Sequence, residues 1–310
     1  MNRSCVVSAV RARRFIRVVA CGLALQAGVT IAQSPAQDSV TLSAFTAGSF
    51  RWMDVASNLY AAAYRATYSY TQATVIVRYS TRGDMLTGTL TTTNLKPHFA
   101  YQLKLAGSPE AHPQANENLG FSGRWWKEDW GGSAWVNGWN LNNKGTGYAP
   151  TSNDLAYLSM RDVADATSPT GRKYRFSAYR VLDYFVTDLS GCATLDFVAD
   201  SSYHVLFKTS QRAPVVGDGS VKTHAFDAGP GTPAYDTDYP AATVGVYGEW
   251  ERLPTHGIPL APGSYALDFL LTEESFHDSG LGGWWAHACQ GPAQFVITPD
   301  GQPGTVVILR

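Results

Sequence analysis

The residues best suited to chemistry lie between Phe121 and Asn140, where five of the chain's nine tryptophans fall: Trp125, Trp126, Trp130, Trp135 and Trp139. They alternate with Gly, Asn and charged residues such as Asp129 rather than with aliphatic ones. Indole faces stack on the CH faces of sugars, and Asn, Asp and Arg bond hydroxyl groups, so this composition suits a carbohydrate platform. The alternative is that the tryptophans plug one end of the fold and anchor a loop. A second glycine–aromatic run, Gly280 to His287, carries Trp284 and Trp285 and would complete a cleft if it met the first in space.

For acid–base work the candidates are Glu249 and Glu251, in the run Tyr247 to Arg252. On a strand, residues two apart share a face at about 6.5–7 Å, a separation comparable with that of the two carboxyls of a glycosidase. Two like charges so placed would raise one pKa, as a general acid requires. With Val244, Val246 and Trp250 facing the core, the bland alternative is a solvated strand face. Glu273 and Glu274 are adjacent and point to opposite faces of a strand, so only one of them could join a site.

Metal signals are scattered. The seven histidines show no H-x-H or H-E-x-x-H spacing, so no metal site is expected from them, and a copper or zinc site assembled from distant loops is the unsupported alternative. Asp236 and Asp238, with Asp227 and Asp218 upstream, could bind calcium through loop oxygens, but no Asp-x-Asp-x-Asp-Gly loop is present. Gly-x-Ser-x-Gly, phosphate-loop and dinucleotide fingerprints are also missing. No cofactor is therefore expected.

Composition narrows the class further. The first 32 residues hold five arginines and no acid, and removing them leaves 19 basic against 25 acidic residues. A mildly acidic body argues against binding nucleic acid or anionic lipid by charge, and a chain that is 45% hydrophobic and 12% aromatic is not disordered. Residues 1–17 are basic, Val18 to Ile31 are mostly apolar, and Thr30-Ile31-Ala32 offers small residues for cleavage after Ala32. This three-part pattern reads as a secretory signal peptide over 1–32, since a spanning helix wants about 20 apolar residues. Arg13-Arg14 resembles a twin-arginine signal, but Phe15 follows the pair directly and the general secretory route fits better. The mature chain would be periplasmic, extracellular or on the cell surface. It keeps Cys192 and Cys289, an even number that an oxidising compartment would bridge. Such a disulfide would contribute about 4–5 kcal/mol in the chain-entropy model, and two buried free thiols are the alternative.

The elements that must position these residues read as antiparallel strands. Thr74–Tyr79, Met85–Thr93 and Phe99–Leu105 form a meander, and Phe99, Tyr101, Leu103 and Leu105 share one face opposite Gln102 and Lys104. Period-two runs return over Tyr179–Thr187, Cys192–Ala199, Tyr203–Thr209, Thr243–Leu253, Gly263–Thr272, Ala293–Thr298 and Thr305–Arg310. Helices are expected over Ser49–Tyr64 and Asn153–Met160. Residues 108–178 and 211–242, rich in Gly, Asn, Trp and Pro, read as two long loops.

Leu95-Lys96-Pro97-His98-Phe99-Ala100-Tyr101 resembles the corner motif of fibronectin type III and related immunoglobulin-like sandwiches. There a Leu-x-Pro turn precedes a tyrosine whose hydroxyl bonds the backbone. Leu260 to Leu267 is a looser copy, which also resembles turns in transthyretin-like sandwiches. The resemblance implies a mainly β, antiparallel, immunoglobulin-like β-sandwich with long loop insertions and one or two short helices. It carries no function by itself. Residues 33–310 are expected to form one elaborated domain, with two sandwiches dividing near 180 as the alternative. The expected function is binding of a glycan or other cell-envelope component through the aromatic segment. The alternatives are a secreted glycoside hydrolase using Glu249 and Glu251, and a structural or adhesive surface protein with a protein partner.

Overall fold

The computed structural model describes residues 36–45, 51–111, 113–141, 152–200, 203–208, 219–227, 233–236, 238–250, 260–274 and 285–299. The elements run in chain order β1 (Gln37–Thr41), β2 (Ser43–Ala44), α1 (Ala62–Thr67), a one-turn 3-10 helix (Tyr70–Gln72), β3 (Thr74–Ser80), β4 (Arg82–Gly83), β5 (Thr87–Thr93) and β6 (Ala100–Gly107). They continue with α2 (Pro113–Ser122), β7 (Arg124–Trp130), β8 (Trp135–Leu141), α3 (Ser152–Met160), β9 (Tyr174–Val186) and β10 (Ala193–Val198). The last are β11 (Tyr203–Lys208), β12 (Gly219–Phe226), β13 (Ala242–Trp250), β14 (Gly263–Glu274) and β15 (Trp285–Ile297).

The protein is mainly β, with antiparallel sheets and three short helices among the described residues. A four-stranded sheet has the order β1-β3-β5-β10, and a three-stranded one β11-β13-β12. The largest, of eight strands, runs β2-β15-β14-β6-β9-β7-β8, with β4 pairing parallel to β15. The local cause is alternation. In β3 the side chains of Val75, Val77 and Tyr79 are buried while Thr74 and Arg78 face out, a pattern that β-branched residues favour. Tyr79 meets Phe269 of β14 with ring centroids 5.0 Å apart, and Phe197 of β10 meets the same ring at 6.1 Å. The inner faces of the four- and eight-stranded sheets thus share one core. Gly88 is required there, because a Cβ at that position would lie 2.5 Å from the Phe197 ring.

Both corner tyrosines bond the backbone. Tyr101 accepts from the Lys96 N–H at 3.1 Å, and the Tyr265 hydroxyl donates to the Ala261 carbonyl at 2.6 Å. Behind the first corner lies a fully buried ion pair. Lys96 Nζ stands 2.6 Å from Glu273 Oε1, with side chains 0% and 1% exposed. The Arg51 N–H donates to the other carboxylate oxygen at 2.6 Å, and the Tyr70 hydroxyl donates to Oε1 at 2.5 Å. The ammonium lies over the rings of Phe99 and Trp52, 4.2 and 4.6 Å from their centroids. Burial pulls the Lys96 pKa down to about 8, with Glu273 opposing the shift.

Several expectations are corrected here. Residues 108–178 are not a long loop: they contain α2, β7, β8 and α3, and β7 and β8 extend the eight-stranded sheet. Within 211–242, residues 219–226 form β12. The helix expected over Ser49–Tyr64 is confined to Ala62–Thr67. Upstream, Asp54 Oδ1 accepts from the Ala56 and Asn58 N–H groups at 2.8 and 2.9 Å, and Ser57 takes φ +71°. This side-chain-to-backbone turn competes with helix formation. Cys289 is a free thiol, 1% exposed, in register with Leu271 of β14. The expected Cys192–Cys289 disulfide is therefore not formed. Cys289 is held inside the eight-stranded sheet while Cys192 stands at the turn before β10 of the four-stranded one, and burial pushes the Cys289 pKa up to about 12. The strand expected over Thr305–Arg310 lies outside the described residues.

Removing one partner of a buried ion pair leaves a bare charge in the core, at a cost of about 3–5 kcal/mol. Lys96→Met alone and Glu273→Gln alone should each lower stability by about that much in urea unfolding. The double variant Lys96→Met/Glu273→Leu should recover most of the loss.

Candidate functional site

The tryptophan-rich segment folds as a hairpin, β7 to β8. Its turn closes with the Gly131 N–H donating to the Ala134 carbonyl at 2.9 Å, and Gly132 takes φ +88°, a conformation that favours glycine. Strand β9 supports the hairpin from its other side, pairing Trp125 with Ala178 and Glu128 with Arg175. Successive β7 side chains must therefore leave on opposite faces.

On the inner face Trp125 is fully buried. Its ring stacks on Tyr157 of α3 at 3.7 Å and 9°, and its indole N–H donates to Asp154 at 2.9 Å. Gly120 makes room for it, since a Cβ there would lie 2.3 Å from the indole. Asp129 also turns inward, to Lys127 Nζ at 2.5 Å, and that ammonium lies 4.5 Å from the centre of the Tyr174 ring. Trp125 and Asp129 thus serve the inner face, although both were candidates for one ligand platform.

The outer face is different. Trp126, Trp130 and Trp135 are each partly exposed. Trp130 and Trp135 are directly opposite in register, with centroids 5.3 Å apart and planes at 64°. The Trp130 indole N–H donates to Thr167 Oγ1 at 3.1 Å. Trp126 lies against Gly138, where a Cβ would come within 2.5 Å of the indole, so glycine makes room for the ring beside β8. Glu128 and Arg175 sit between these rings. Arg175 Nε donates to Glu128 Oε2 at 2.8 Å, and the guanidinium lies 5.0 Å from the centroid of Trp135.

This face continues across the sheet into a charged cluster. Arg124 is opposite Tyr179, Tyr179 is opposite Ala106, and Lys104 lies two residues further along β6. Lys104 Nζ is 3.0 Å from Glu274 Oε1 and 5.6 Å from the centroid of Tyr179. Thr272 Oγ1 donates to the same carboxylate oxygen at 3.2 Å, and His287 is opposite Thr272. Burial holds Lys104 below the ordinary lysine pKa, opposed by Glu274 and reinforced by Arg124. His287 is pulled down to about 4 by burial, reinforced by the charge of Lys104. Lys104, Arg124 and Thr272 were not singled out from the sequence, whereas Glu274 was weighed only beside Glu273 and His287 only as the end of the Gly280–His287 run. The signal was the alternation of Gln102 and Lys104 against apolar neighbours, which placed them on the opposite face but gave no sign that both residues are buried. Glu273 and Glu274 do divide between the faces, one to Lys96 and the other to Lys104.

Trp285 is brought to the same sheet, in register with Glu274. Three strands separate its strand from β7, which puts them about 19 Å apart laterally. Position 139 is opposite Lys127, and Glu249 lies in β13 opposite Val205 and Gly219. Glu251, Trp284 and Asp218 lie outside the described residues. Asp227, Asp236 and Asp238 are exposed, and no group of three His, Cys, Asp or Glu able to hold a metal occurs among the described residues. A separate cleft of about 550 Å³ opens between α2 and α3, lined by Glu110, Glu117, Tyr157, Arg161, Asp162 and Arg172. Its Tyr157 hydroxyl donates to Glu117 at 2.7 Å while the ring backs Trp125.

Two outcomes follow from this arrangement. Trp125→Ala should cost about 3–5 kcal/mol, as expected for emptying a buried indole site, whereas Trp126→Ala should leave the melting temperature nearly unchanged. His287 has a folded pKa of about 4 against a free value of 6.5. Between those values the unfolded chain binds a proton that the folded chain refuses, so its contribution to stability falls as pH drops through that window. His287→Gln should flatten the pH dependence of the urea midpoint from pH 6.5 to 4.

The chain matches no family model, no curated protein and no solved structure.

Proposed function

We propose that the chain is an exported β-sandwich protein that holds a glycan or another cell-envelope polymer against the outer face of its largest sheet. Trp126, Trp130 and Trp135 form the stacking platform, and Glu128 and Arg175 supply hydrogen bonds to hydroxyl groups. One observation carries this reading: three partly exposed indoles share a strand face with a fixed carboxylate–guanidinium pair. Trp126 and Trp130 are four residues apart on β7, about 13 Å along the strand, which leaves room for a short oligosaccharide.

The sandwich part of the proposal rests on Tyr79 and Phe197 meeting Phe269 between two sheets, and on the backbone bonds of Tyr101 and Tyr265. The export part rests on the arginine-rich start followed by an apolar run. No helix among the described residues is long and apolar enough to cross a membrane.

The test is depletion of the purified protein from solution by a panel of insoluble polysaccharides, with new reducing ends assayed in the same supernatant. Wild-type protein should be depleted by at least one polymer without product. The triple variant Trp126→Ala/Trp130→Ala/Trp135→Ala should lose at least about tenfold in affinity, a loss of about 1.4 kcal/mol, while retaining its fold by circular dichroism. Undiminished retention by that variant would remove the platform. Released product would instead move the assignment to a hydrolase and to Glu249 and Glu251.

A further inference from the structure

His98 and His224 are 126 residues apart in sequence, yet His98 Nδ1 and His224 Nε2 face each other at 2.7 Å. His98 is 4% exposed and has φ +51°, an uncommon conformation for a residue other than glycine. Its backbone is fixed from both sides: the N–H donates to the Asp188 carbonyl at 3.3 Å, and the C=O accepts from Val55 at 3.0 Å. Its ring lies against Phe226, with centroids 4.1 Å apart. The imidazole is therefore aimed by main-chain bonds and ring contact, and its Nδ1 points at a residue of the three-stranded sheet.

The hydrogen bonding around the pair is incomplete. His98 Nε2 has no partner among the described residues, and neither does the hydroxyl of the buried Tyr239, whose ring centroid is 6.1 Å from that of His98. One shared proton cannot satisfy both imidazoles in full. Buried polar atoms left in this state cost about 1–3 kcal/mol each.

We propose that His98 and His224 bind a divalent transition-metal ion of the Zn²⁺ or Cu²⁺ class, through His98 Nδ1 and His224 Nε2. Two nitrogens at about 2.0–2.1 Å from a tetrahedral ion stand about 3.3 Å apart, so the 2.7 Å separation needs to open by only about 0.6 Å. The partly exposed His224 can supply that movement by tilting its ring. Imidazole suits borderline metals, whereas calcium and magnesium want oxygen ligands. Neutral imidazole is the ligand form of histidine, and each ring has one nitrogen facing the other. Among the described residues no third His, Cys, Asp or Glu completes a ligand set. The remaining positions fall to solvent. A metal here would pin β12 to the corner that precedes β6.

The test is titration of the purified, chelator-treated protein with Zn²⁺ and with Cu²⁺, following heat of binding, melting temperature and the electron paramagnetic resonance of the copper form. One equivalent should bind and raise the melting temperature, and the copper spectrum should show coupling to two imidazole nitrogens. His224→Gln, and separately His98→Asn, which tolerates positive φ, should weaken binding by at least the roughly 10–100-fold that loss of an outer-shell partner costs. Circular dichroism would establish that both variants fold. Failure to bind at millimolar metal would overturn the proposal. So would equal affinity in wild type and the His224→Gln variant, or a copper spectrum without nitrogen coupling.

Discussion

The pairing of Lys96 with Glu273 is the constraint around which the rest is arranged. A lysine with no access to water is tolerable only where charge and donors are fully matched, and the matching groups come from four places in the chain. Glu273 supplies the charge from β14, Arg51 gives both a carbonyl and an N–H, Tyr70 donates from the 3-10 turn, and Tyr101 holds the Lys96 backbone. Because each contributor is needed to satisfy another, the N-terminal segment, the corner before β6 and strand β14 must come together as a set. That requirement specifies the arrangement more sharply than apolar contact does, since apolar side chains tolerate repacking.

The same strand then carries the polarity to the other side of the sheet. Adjacent residues on β14 leave on opposite faces, so Glu273 closes the inner network and Glu274 meets Lys104 on the outer one. The charged cluster outside is thereby tied to the core inside through one peptide bond. Further along the outer face the groups become aromatic and partly exposed, and Glu128 with Arg175 keeps the rings apart. Stiff strands, rather than a loop, hold the platform, and positions on strands are defined more closely than positions on loops.

Much of this was legible in the sequence, and the parts that were not share a cause. Strands β3, β5, β6, β10 and β14 announced themselves because Val, Ile, Leu and aromatic residues alternate with polar ones over Thr74–Thr93, Phe99–Leu105, Cys192–Ala199 and Gly263–Thr272. The corner tyrosines were readable from Leu-x-Pro turns. Strand β7 was hidden because both of its faces carry large or charged residues: Trp125 and Lys127 inside, Trp126 and Glu128 outside. A period of two vanishes when each face is amphipathic in its own way. The burial of Lys104 was not legible for a related reason, since an alternating pattern shows which face a side chain takes and says nothing about whether that face is wet. Long-range pairings such as His98 with His224 leave no local mark at all.

Strand β8 ends the order of the eight-stranded sheet as described, so one row of its backbone groups faces away from β7. Such a border invites another strand to dock and extend the sheet. Here the register slips between Lys127 and Asp129, Asn137 takes φ +55°, and Gly138 contributes no side chain. A kinked rim offers no straight template for a second chain. The irregularity beside Trp126 therefore also makes this edge a poor template for end-to-end pairing of two copies of the sheet.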